Sequence, residues 1–453
     1  MKELVDHQRA YYMQGNTRDI GFRITKLKQL QKVVCEYEGK IEAALWEDLH
    51  KSAYESYLTE ISMVVQELKD HIGHLRRWAK PKKVGTPLHM MGSRSRVIYE
   101  PLGVALIIAP WNYPFQLMMT PLVGALSAGN CVVLKPSPYA PHVAAVVAEM
   151  VTEVFAPEHV TVVLGGPEVH QELLAQRFDY LFFTGSPMSG KAVMKAAAEH
   201  LTPVTLELGG KSPCVIDRTA NLDLAARRVV WGKFLNAGQT CIAPDYLFVH
   251  REVKEYLVKR IAFYIQRFYG EYPRQSSDYP RIVRPEAVDR ISGLMKTGHI
   301  VCGGEVSREE CYIAPTVIDQ VHPDDPIMQE EIFGPVLPIM EFDVTEEVIQ
   351  YVNAHEKPLA FYYFGDLATA RKVIAATTSG GVCINDTIMH IANPHLPFGG
   401  VGNSGMGRYH GVDSFLTFSN KRSVLYAATW WDIPLRYAPY RALSLLKRMP
   451  GFR

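Results

Sequence analysis

Short apolar segments alternate with helical segments between residues 103 and 217, and this alternation limits the possible folds more than any other feature of the chain. The predicted strands cover residues 103–109, 131–135, 160–164, 180–183, 204–207 and 213–217. The clearest helix between them is 141–155, whose apolar residues recur at helical spacing. Short apolar strands separated by helices are typical of a parallel sheet that is covered on both faces. The pattern therefore predicts an α/β protein with a doubly wound parallel sheet.

Polar residues and glycines come directly after these strands or at their last position. In chain order they are Asn112, Lys135, Gly165, Gly185 with Ser186, and Glu207. Ligands bind outside the carboxyl ends of the strands in open parallel sheets. We therefore predict a ligand site at this edge of the sheet.

The turn at residues 184–190 has the pattern Gly-x-x-x-x-Gly and leads from a predicted strand into a helix. Backbone N–H groups and the positive end of a helix favour a phosphate at such a junction, with Gly185, Ser186 and Gly190 around it. The pattern is neither the common dinucleotide fingerprint nor a P-loop, so a packing role explains the glycines equally well. Lys135 either contacts a ribose or phosphate or is a solvated lysine at a strand end.

Three further residues could carry chemistry. Cys241 lies on a predicted loop between a helix and an apolar strand, and a catalytic thiol there needs partial exposure and a lowered pKa. The alternative is a small buried hydrophobe. Glu207 is either a general base with a raised pKa or the partner of Lys211 in an ion pair. Asn112 is either an oxyanion donor or an ordinary turn residue.

The size and composition of the chain exclude several classes of protein. Its 453 residues are too many for one core, so two or more domains are expected. With 48 basic and 47 acidic residues, it offers no electrostatic case for nucleic acid as a partner. Seven scattered cysteines without a Cys-x-x-Cys pair argue against a disulfide framework or structural zinc, and for a reducing, cytoplasmic compartment. No signal peptide or transmembrane anchor is expected from the sequence.

The rest of the chain divides by pattern into five regions. They are helical residues 1–80, extended residues 81–101, a second alternating region at 214–412, a terminal strand at 415–426 and a tail at 427–453. The tail mixes aromatic and basic side chains, which is compatible with a peripheral membrane contact. We favour packing over a partner subunit or the substrate entrance instead. The tail residues concerned are Trp430, Trp431, Arg436, Tyr437, Tyr440, Arg441, Lys447 and Arg448.

Six segments resemble the ordered signatures of the aldehyde dehydrogenases. They are Pro110-Trp-Asn-Tyr-Pro-Phe115, Phe183-Thr-Gly-Ser186, Leu206-Glu-Leu-Gly-Gly-Lys211, Gly238-Gln-Thr-Cys241, Glu331-Ile-Phe-Gly-Pro335 and Pro397-Phe-Gly-Gly400. They stand in the family's order and span nearly the whole chain. The continuation Cys241-Ile-Ala-Pro-Asp245 and the short N-terminus are similar to the class 3-type branch.

The resemblance implies a division of the chain and a role for each matching residue. Residues 1–80 and 103–207 would form a dinucleotide-binding domain with five strands, 208–412 a catalytic domain, and 81–102 and 413–426 the bridging region of a homodimer. Cys241 would be the nucleophile, Glu207 the general base and Asn112 an oxyanion donor. The implied cofactor residues are Lys135, Gly165, Gly185, Ser186, Gly190, Glu331 and Phe333.

The implied reaction oxidises an aliphatic or aromatic aldehyde of medium to large size to its acid. Cys241 forms a thiohemiacetal, hydride passes to the nicotinamide of NAD or NADP, and a thioester is hydrolysed without a metal. Pro138 stands where NAD-preferring members often have a glutamate, so either cofactor is admissible. Glu331 is an alternative to Glu207 as the base.

Two other classes of function stay open from the residues alone. A cysteine hydrolase or thioesterase would use Cys241 and Glu207 without a dinucleotide, and it would not be stabilised thermally by one. A non-catalytic binding protein on the same scaffold would have a thiol of ordinary reactivity.

Overall fold

The fold is described from a computed structural model, which covers residues 1–432, 436–440 and 443–448. The helices in chain order are α1 (Lys2–Met13), α2 (Ile20–Glu36), α3 (Glu38–Leu49), α4 (Ala53–Ser56), α5 (Ser62–Trp78), α6 (Gln116–Ala128), α7 (Pro141–Val154), α8 (Pro167–Leu174), α9 (Pro187–Ala198), α10 (Leu222–Phe234), α11 (Lys254–Tyr269), α12 (Pro285–Leu294), α13 (Pro326–Gln329), α14 (Thr345–Ala354), α15 (Leu367–Ala376), α16 (Val412–Thr417) and α17 (Leu443–Leu446). One π-helical turn, Tyr57–Ile61, joins α4 to α5.

The strands in chain order are β1 (Lys82–Val84), β2 (Arg94–Pro101), β3 (Val104–Ile108), β4 (Cys131–Lys135), β5 (Val160–Val162), β6 (Tyr180–Thr184), β7 (Val204–Glu207), β8 (Pro213–Ile216), β9 (Tyr246–His250), β10 (His299–Cys302), β11 (Val306–Ser307), β12 (Tyr312–Ile313), β13 (Thr316–Asp319), β14 (Val336–Phe342), β15 (Ala360–Phe364), β16 (Gly381–Ile384), β17 (Gly405–Met406) and β18 (Ser419–Tyr426).

The first sheet has the order β17-β7-β6-β3-β4-β5. Its last five strands are parallel, and the two-residue β17 pairs antiparallel with β7. Every residue of β3, β4 and β6 is buried, as expected for strands with helices on both faces. The predicted doubly wound parallel sheet is confirmed. Its carboxyl edge carries all five of the predicted polar or glycine positions.

The second sheet has the order β10-β13-β14-β9-β8-β15-β16 and is parallel except for β10. The predicted strand at 213–217 belongs here and not to the first sheet. The segment from Leu208 to Ser212 forms no helix and passes directly from β7 into β8. Helix α10 begins after Asn221, whose side chain accepts the Leu224 N–H, and it leads into the loop of Cys241.

The third sheet is a small antiparallel one, with β2 between β1 and β18. Strands β2 and β18 pair over eight positions, from Pro101 with Ser419 to Arg94 with Tyr426. The predicted strand at 415–426 is wrong in its first part, because α16 extends to Thr417 and buries Phe415 in the core. Burial of that side chain outweighs the β-branched and aromatic composition that favoured a strand.

The tail after β18 is described only in part. Trp430 and Tyr440 are exposed, and Arg436 lies near Asp432 at 3.9 Å. Arg441 lies outside the described residues. Among the residues that the structure covers, no helix combines the length and apolarity that crossing a membrane requires.

Candidate active site

The carboxyl edge of the first sheet opens into a cleft that is lined by the polar side chains of Asn112, Glu207 and Glu331, the polar cleft. The loop after β3 contributes Asn112, the turn after β6 contributes Gly185 and Ser186, and β7 ends at Glu207. From the second sheet's side come the last three predicted residues of this cleft, Cys241, Glu331 and Phe333. Seven predicted site residues are thus brought together, although they are far apart in the sequence.

Cys241 lies on a partly exposed loop after α10, as predicted. Burial raises the pKa of its thiol well above the usual range, and the nearby carboxyl groups of Glu331 and Glu207 raise that pKa further. The expectation of a lowered pKa is therefore wrong for the free protein, whose Cys241 is a neutral thiol at pH 7. Backbone N–H groups of Cys241 and Ile242 point toward the sulfur and favour negative charge there.

Glu207 is buried, and neither of its carboxylate oxygens has a hydrogen-bond partner among the residues that the structure describes. Burial therefore raises the pKa of Glu207 well above its ordinary value, and Arg408 offsets this only in part. The alternative of an ion pair with Lys211 is wrong, because Lys211 Nζ instead contacts Asp245 Oδ2 at 2.6 Å. A buried, unpartnered carboxyl group is suited to accept and release a proton.

Asn112 is buried, and hydrogen bonds hold both its side-chain amide and its backbone carbonyl. Its side-chain Nδ2 donates to the Gln239 carbonyl at 2.9 Å, in the loop that carries Cys241. An amide Nδ2 has two N–H groups, so this bond leaves one of them for a substrate oxygen. The backbone carbonyl of Asn112 accepts from Asn236 Nδ2 at 2.7 Å. This fixed geometry favours the reading as an oxyanion donor over that of an ordinary turn residue.

Glu331 and Phe333 form the opposite wall of the cleft. Burial raises the pKa of Glu331 to about 8, and the negative charge of Asp245 adds to this rise. The Glu331 carboxylate lies against Gly209 so closely that a Cβ at Gly209 would be 1.9 Å from Oε2. Phe333, with φ of 48°, packs edge to face on Trp111 at 5.5 Å between ring centroids.

The predicted phosphate turn caps α9. Ser186 Oγ accepts the Ser189 N–H at 3.3 Å, so the hydroxyl closes the first turn of this 12-residue helix. A Cβ at Gly190 would lie 2.7 Å from Leu208, which shows that the glycine also serves packing. Both alternatives for this turn therefore apply. The helix N-terminus and the carboxylate of Glu331 line the same cleft, and this donor and acceptor set fits a dinucleotide.

Lys135 and Gly165 lie at the next two strand ends, outside the group that lines the polar cleft. Lys135 is not solvated, because it is buried and its Nζ donates to the carbonyl groups of Pro136 and Gly165, each at 2.8 Å. Burial lowers the pKa of this ammonium group. The hydrogen bond from Lys135 to Gly165 thus joins these two positions at the carboxyl edge of the sheet.

A second cavity, the apolar pocket, meets the polar cleft at Cys241 and Leu117. Apolar side chains form most of its wall, and Leu58 and Met389 lie exposed at its surface. Sequence reasoning missed this pocket, because its lining comes from five separate segments with no shared motif. Of its lining residues, Tyr113, Thr240, Cys241, Ile242 and Phe398 belong to segments that the motifs singled out, but no motif indicates that they share a pocket. The apolar lining residues are Leu58, Met63, Leu117, Trp231, Leu235, Ile242, Ile388, Met389, Ile391, Ala392 and Phe398.

The fold and the cleft are those of a dinucleotide-dependent oxidoreductase that has a cysteine in its active site. Residues 3–424 match the aldehyde dehydrogenase family, and the chain belongs to that family. It is an NAD(P)-dependent enzyme that oxidises aldehydes to acids.

Known relatives match over nearly their full length. The 4,4'-diaponeurosporen-aldehyde dehydrogenase of Staphylococcus aureus is 45% identical over 436 residues, which are 96% of this chain and 95% of that protein. The dimeric NADP-preferring aldehyde dehydrogenase of Rattus norvegicus is 46% identical, with 94% of each chain covered. The solved substrate-bound state of Staphylococcus aureus AldH superposes with a TM-score of 0.95 at 44% identity, covering 97% of both chains. The resemblance to the class 3-type branch is confirmed.

Proposed function

We propose that the enzyme oxidises apolar aldehydes of medium to large size, aliphatic or aromatic, through a covalent intermediate on Cys241. The observation that carries the proposal is the position of Cys241 on the wall shared by the polar cleft and the apolar pocket. An aldehyde in the apolar pocket presents its carbonyl carbon to the sulfur. The buried wall contributes about 0.8 kcal/mol of binding free energy for each CH₂ group of the substrate.

The chemistry follows from three side chains. The Cys241 thiol gives up its proton to water as the sulfur bonds to the carbonyl carbon, and the resulting oxyanion accepts from the free N–H of Asn112 and a backbone N–H near Cys241. Ser186 and Glu331 would hold NAD or NADP in the cleft, and the bound cofactor would supply the acceptor for the hydride that leaves this carbon. Glu207 then takes a proton from water, whose oxygen attacks the thioester and releases the acid and the Cys241 thiolate.

The cofactor choice rests on one position. Pro138, three residues after Lys135, is exposed and carries no carboxylate, so this position does not repel a 2′-phosphate. We propose that both NAD and NADP are used. The ratio of kcat/KM for the two cofactors, measured with one aldehyde, tests this. A ratio above about 10³ in favour of NAD would contradict it.

We further propose that residues 1–80 and 103–207 form the cofactor domain and 208–412 the catalytic domain. Residues 81–102 and 413–426 would join two copies into a homodimer through the third sheet. Seven free cysteines in the described residues also support a reducing, cytoplasmic setting. Light scattering at micromolar protein tests the dimer, and a monomer mass at that concentration would exclude it.

The substrate proposal is tested by following reduced nicotinamide with straight-chain aldehydes of increasing length. We expect kcat/KM to rise about fourfold per CH₂ group until the pocket is filled. Cys241→Ala should abolish turnover. The matched control Cys383→Ala, at a partly exposed cysteine that lines neither cavity, should retain it. A flat chain-length profile, or turnover by Cys241→Ala, would overturn the proposal.

A further inference from the structure

Two fully buried charges lie beneath the loop that carries Asn112. Lys51 and Glu60 have no exposed side-chain surface, and Lys51 Nζ lies 2.5 Å from Glu60 Oε1. Lys51 follows α3, and Glu60 belongs to the π-helical turn Tyr57–Ile61. A π-turn inside a helix re-aims the side chains around it and is frequent at functional sites. Burial of a charged pair is costly unless each member has further hydrogen bonds.

Both members of the pair form further hydrogen bonds with the loop between β3 and α6. Lys51 Nζ donates to the carbonyl of Asn112 at 3.3 Å and lies 4.3 Å from the ring centroid of Tyr113. Glu60 Oε2 accepts the N–H groups of Phe115 at 2.9 Å and Gln116 at 3.2 Å. The carboxylate thereby holds the N-terminus of α6, where negative charge is favoured. The pair clamps the loop at its beginning and at its end.

A neighbouring carboxyl group holds the loop that carries the nucleophile. Glu55 Oε1 accepts the Asn236 N–H at 2.8 Å, and Asn236 Nδ2 donates in turn to the carbonyl of Asn112 at 2.7 Å. Asn236 and Ala237 both have φ of 51°. Residues other than glycine seldom adopt this left-handed backbone conformation, and the surrounding structure holds them in it. The Asn112 carbonyl therefore receives one donor from Lys51 and a second one from the Cys241 loop.

We propose that Lys51 and Glu60 are positioning residues that set the oxyanion donor Asn112 against the Cys241 loop. The inference rests on the proposed role of Asn112 and Cys241. Neither Lys51 nor Glu60 lines the polar cleft or the apolar pocket, so they act through the residues of the loop that they hold, Asn112 first among them. Their loss should slow the step in which Cys241 attacks the aldehyde and leave the dinucleotide contacts unchanged.

The test compares Lys51→Met and Glu60→Gln with wild-type enzyme, using an apolar aldehyde that the wild type oxidises. We expect the pre-steady-state burst of reduced nicotinamide to slow by about 10²-fold, since misplacement of a reacting group by about 1 Å has that effect. The KM for the dinucleotide and the thermal shift that it produces should stay within twofold of wild type. Lys51→Arg keeps the charge and should recover most of the burst rate.

The matched control is Lys254→Met. Lys254 begins α11 and forms an ion pair with Asp319 at 2.9 Å, and neither residue lines either cavity. This variant should leave the burst unchanged. A folded Lys51→Met or Glu60→Gln with a burst rate within twofold of wild type would overturn the positioning role. If both single variants fail to fold, Lys51→Met/Glu60→Gln, which removes both charges together, is judged by the same criterion. If the wild type formed no reduced nicotinamide at all, this result would instead refute the proposed function.

Discussion

The ionisation of Glu331 should make cofactor affinity depend on pH. Its pKa in the free protein is raised to about 8, by burial first and by Asp245 second. At pH 7 only about one-tenth of the molecules carry Glu331 as the carboxylate, whereas at pH 9 about nine-tenths do. A carboxylate accepts hydrogen bonds from ribose hydroxyl groups more strongly than a neutral acid does. We therefore expect the ionised form to be the one that binds the dinucleotide tightly.

The magnitude follows from these fractions. The apparent Kd for the dinucleotide should fall about tenfold from pH 7 to pH 9, which corresponds to about 1.4 kcal/mol. The sign is fixed by the direction of the shift: an acid with a raised pKa is neutral over more of the physiological range, so affinity increases as pH rises through 8. Most of the change should fall between pH 7 and pH 8, because the apparent Kd is inversely proportional to the ionised fraction, which rises about fivefold over that range and less than twofold from pH 8 to pH 9.

The assay is isothermal titration of the dinucleotide at pH 7, 8 and 9 in buffers of equal ionic strength, with no aldehyde present. Glu331→Gln is the control, because it keeps the shape and an acceptor oxygen but cannot ionise. Its Kd should vary less than twofold over the same range. A wild-type Kd that is independent of pH would refute the reasoning, and so would an equal slope in Glu331→Gln.

Three further predictions concern Glu207, Gly209 and the buried Lys233. Glu207→Gln should keep the first burst of reduced nicotinamide but lower steady-state turnover by about 10²- to 10⁴-fold, because only thioester hydrolysis loses its base; loss of the burst would contradict this. Gly209→Ala should weaken dinucleotide binding in a titration, since its Cβ would lie 1.9 Å from Glu331. Gly210→Ala should bind normally, because its Cβ would have no neighbour closer than 3.4 Å. Lys233 is fully buried with no hydrogen-bond partner among the described residues, so Lys233→Met should raise the free energy of unfolding by about 1 to 3 kcal/mol in denaturant melts. A decrease would show that the ammonium group is satisfied.

The residues at the sheet edge could be predicted from the sequence because each strand shows its own local pattern. Each strand of the first sheet is a short apolar run, and parallel strands place their carboxyl ends together. Asn112, Gly185 and Glu207 could therefore be grouped before any contact was known. Cys241 and Glu331 come from the other side of the cleft, and only the resemblance to a family placed them with this group.

The apolar pocket and the ionisation states could not be predicted in this way. The pocket is a property of packing between segments as distant as Leu58 and Phe398, and no single segment shows it. A catalytic thiol at Cys241 is expected to need a lowered pKa, but burial and two nearby carboxyl groups raise that pKa instead. Lys135 was read as solvated or ligand-bound, yet its ammonium group turns back to two backbone carbonyls.

Hydrogen-bond partners separate the two kinds of buried carboxyl group around this site. Glu60 receives an ammonium group and two amide N–H groups, which compensate its loss of water and hold it in place. Glu207 receives no such donor, so burial favours its protonated form and leaves it able to exchange a proton. Both residues end or interrupt a regular element, and both look alike in the sequence. Their different chemistry comes from partners: Lys51 lies beside one carboxyl group, whereas Lys211, the lysine nearest to Glu207 in the chain, is held by Asp245 instead.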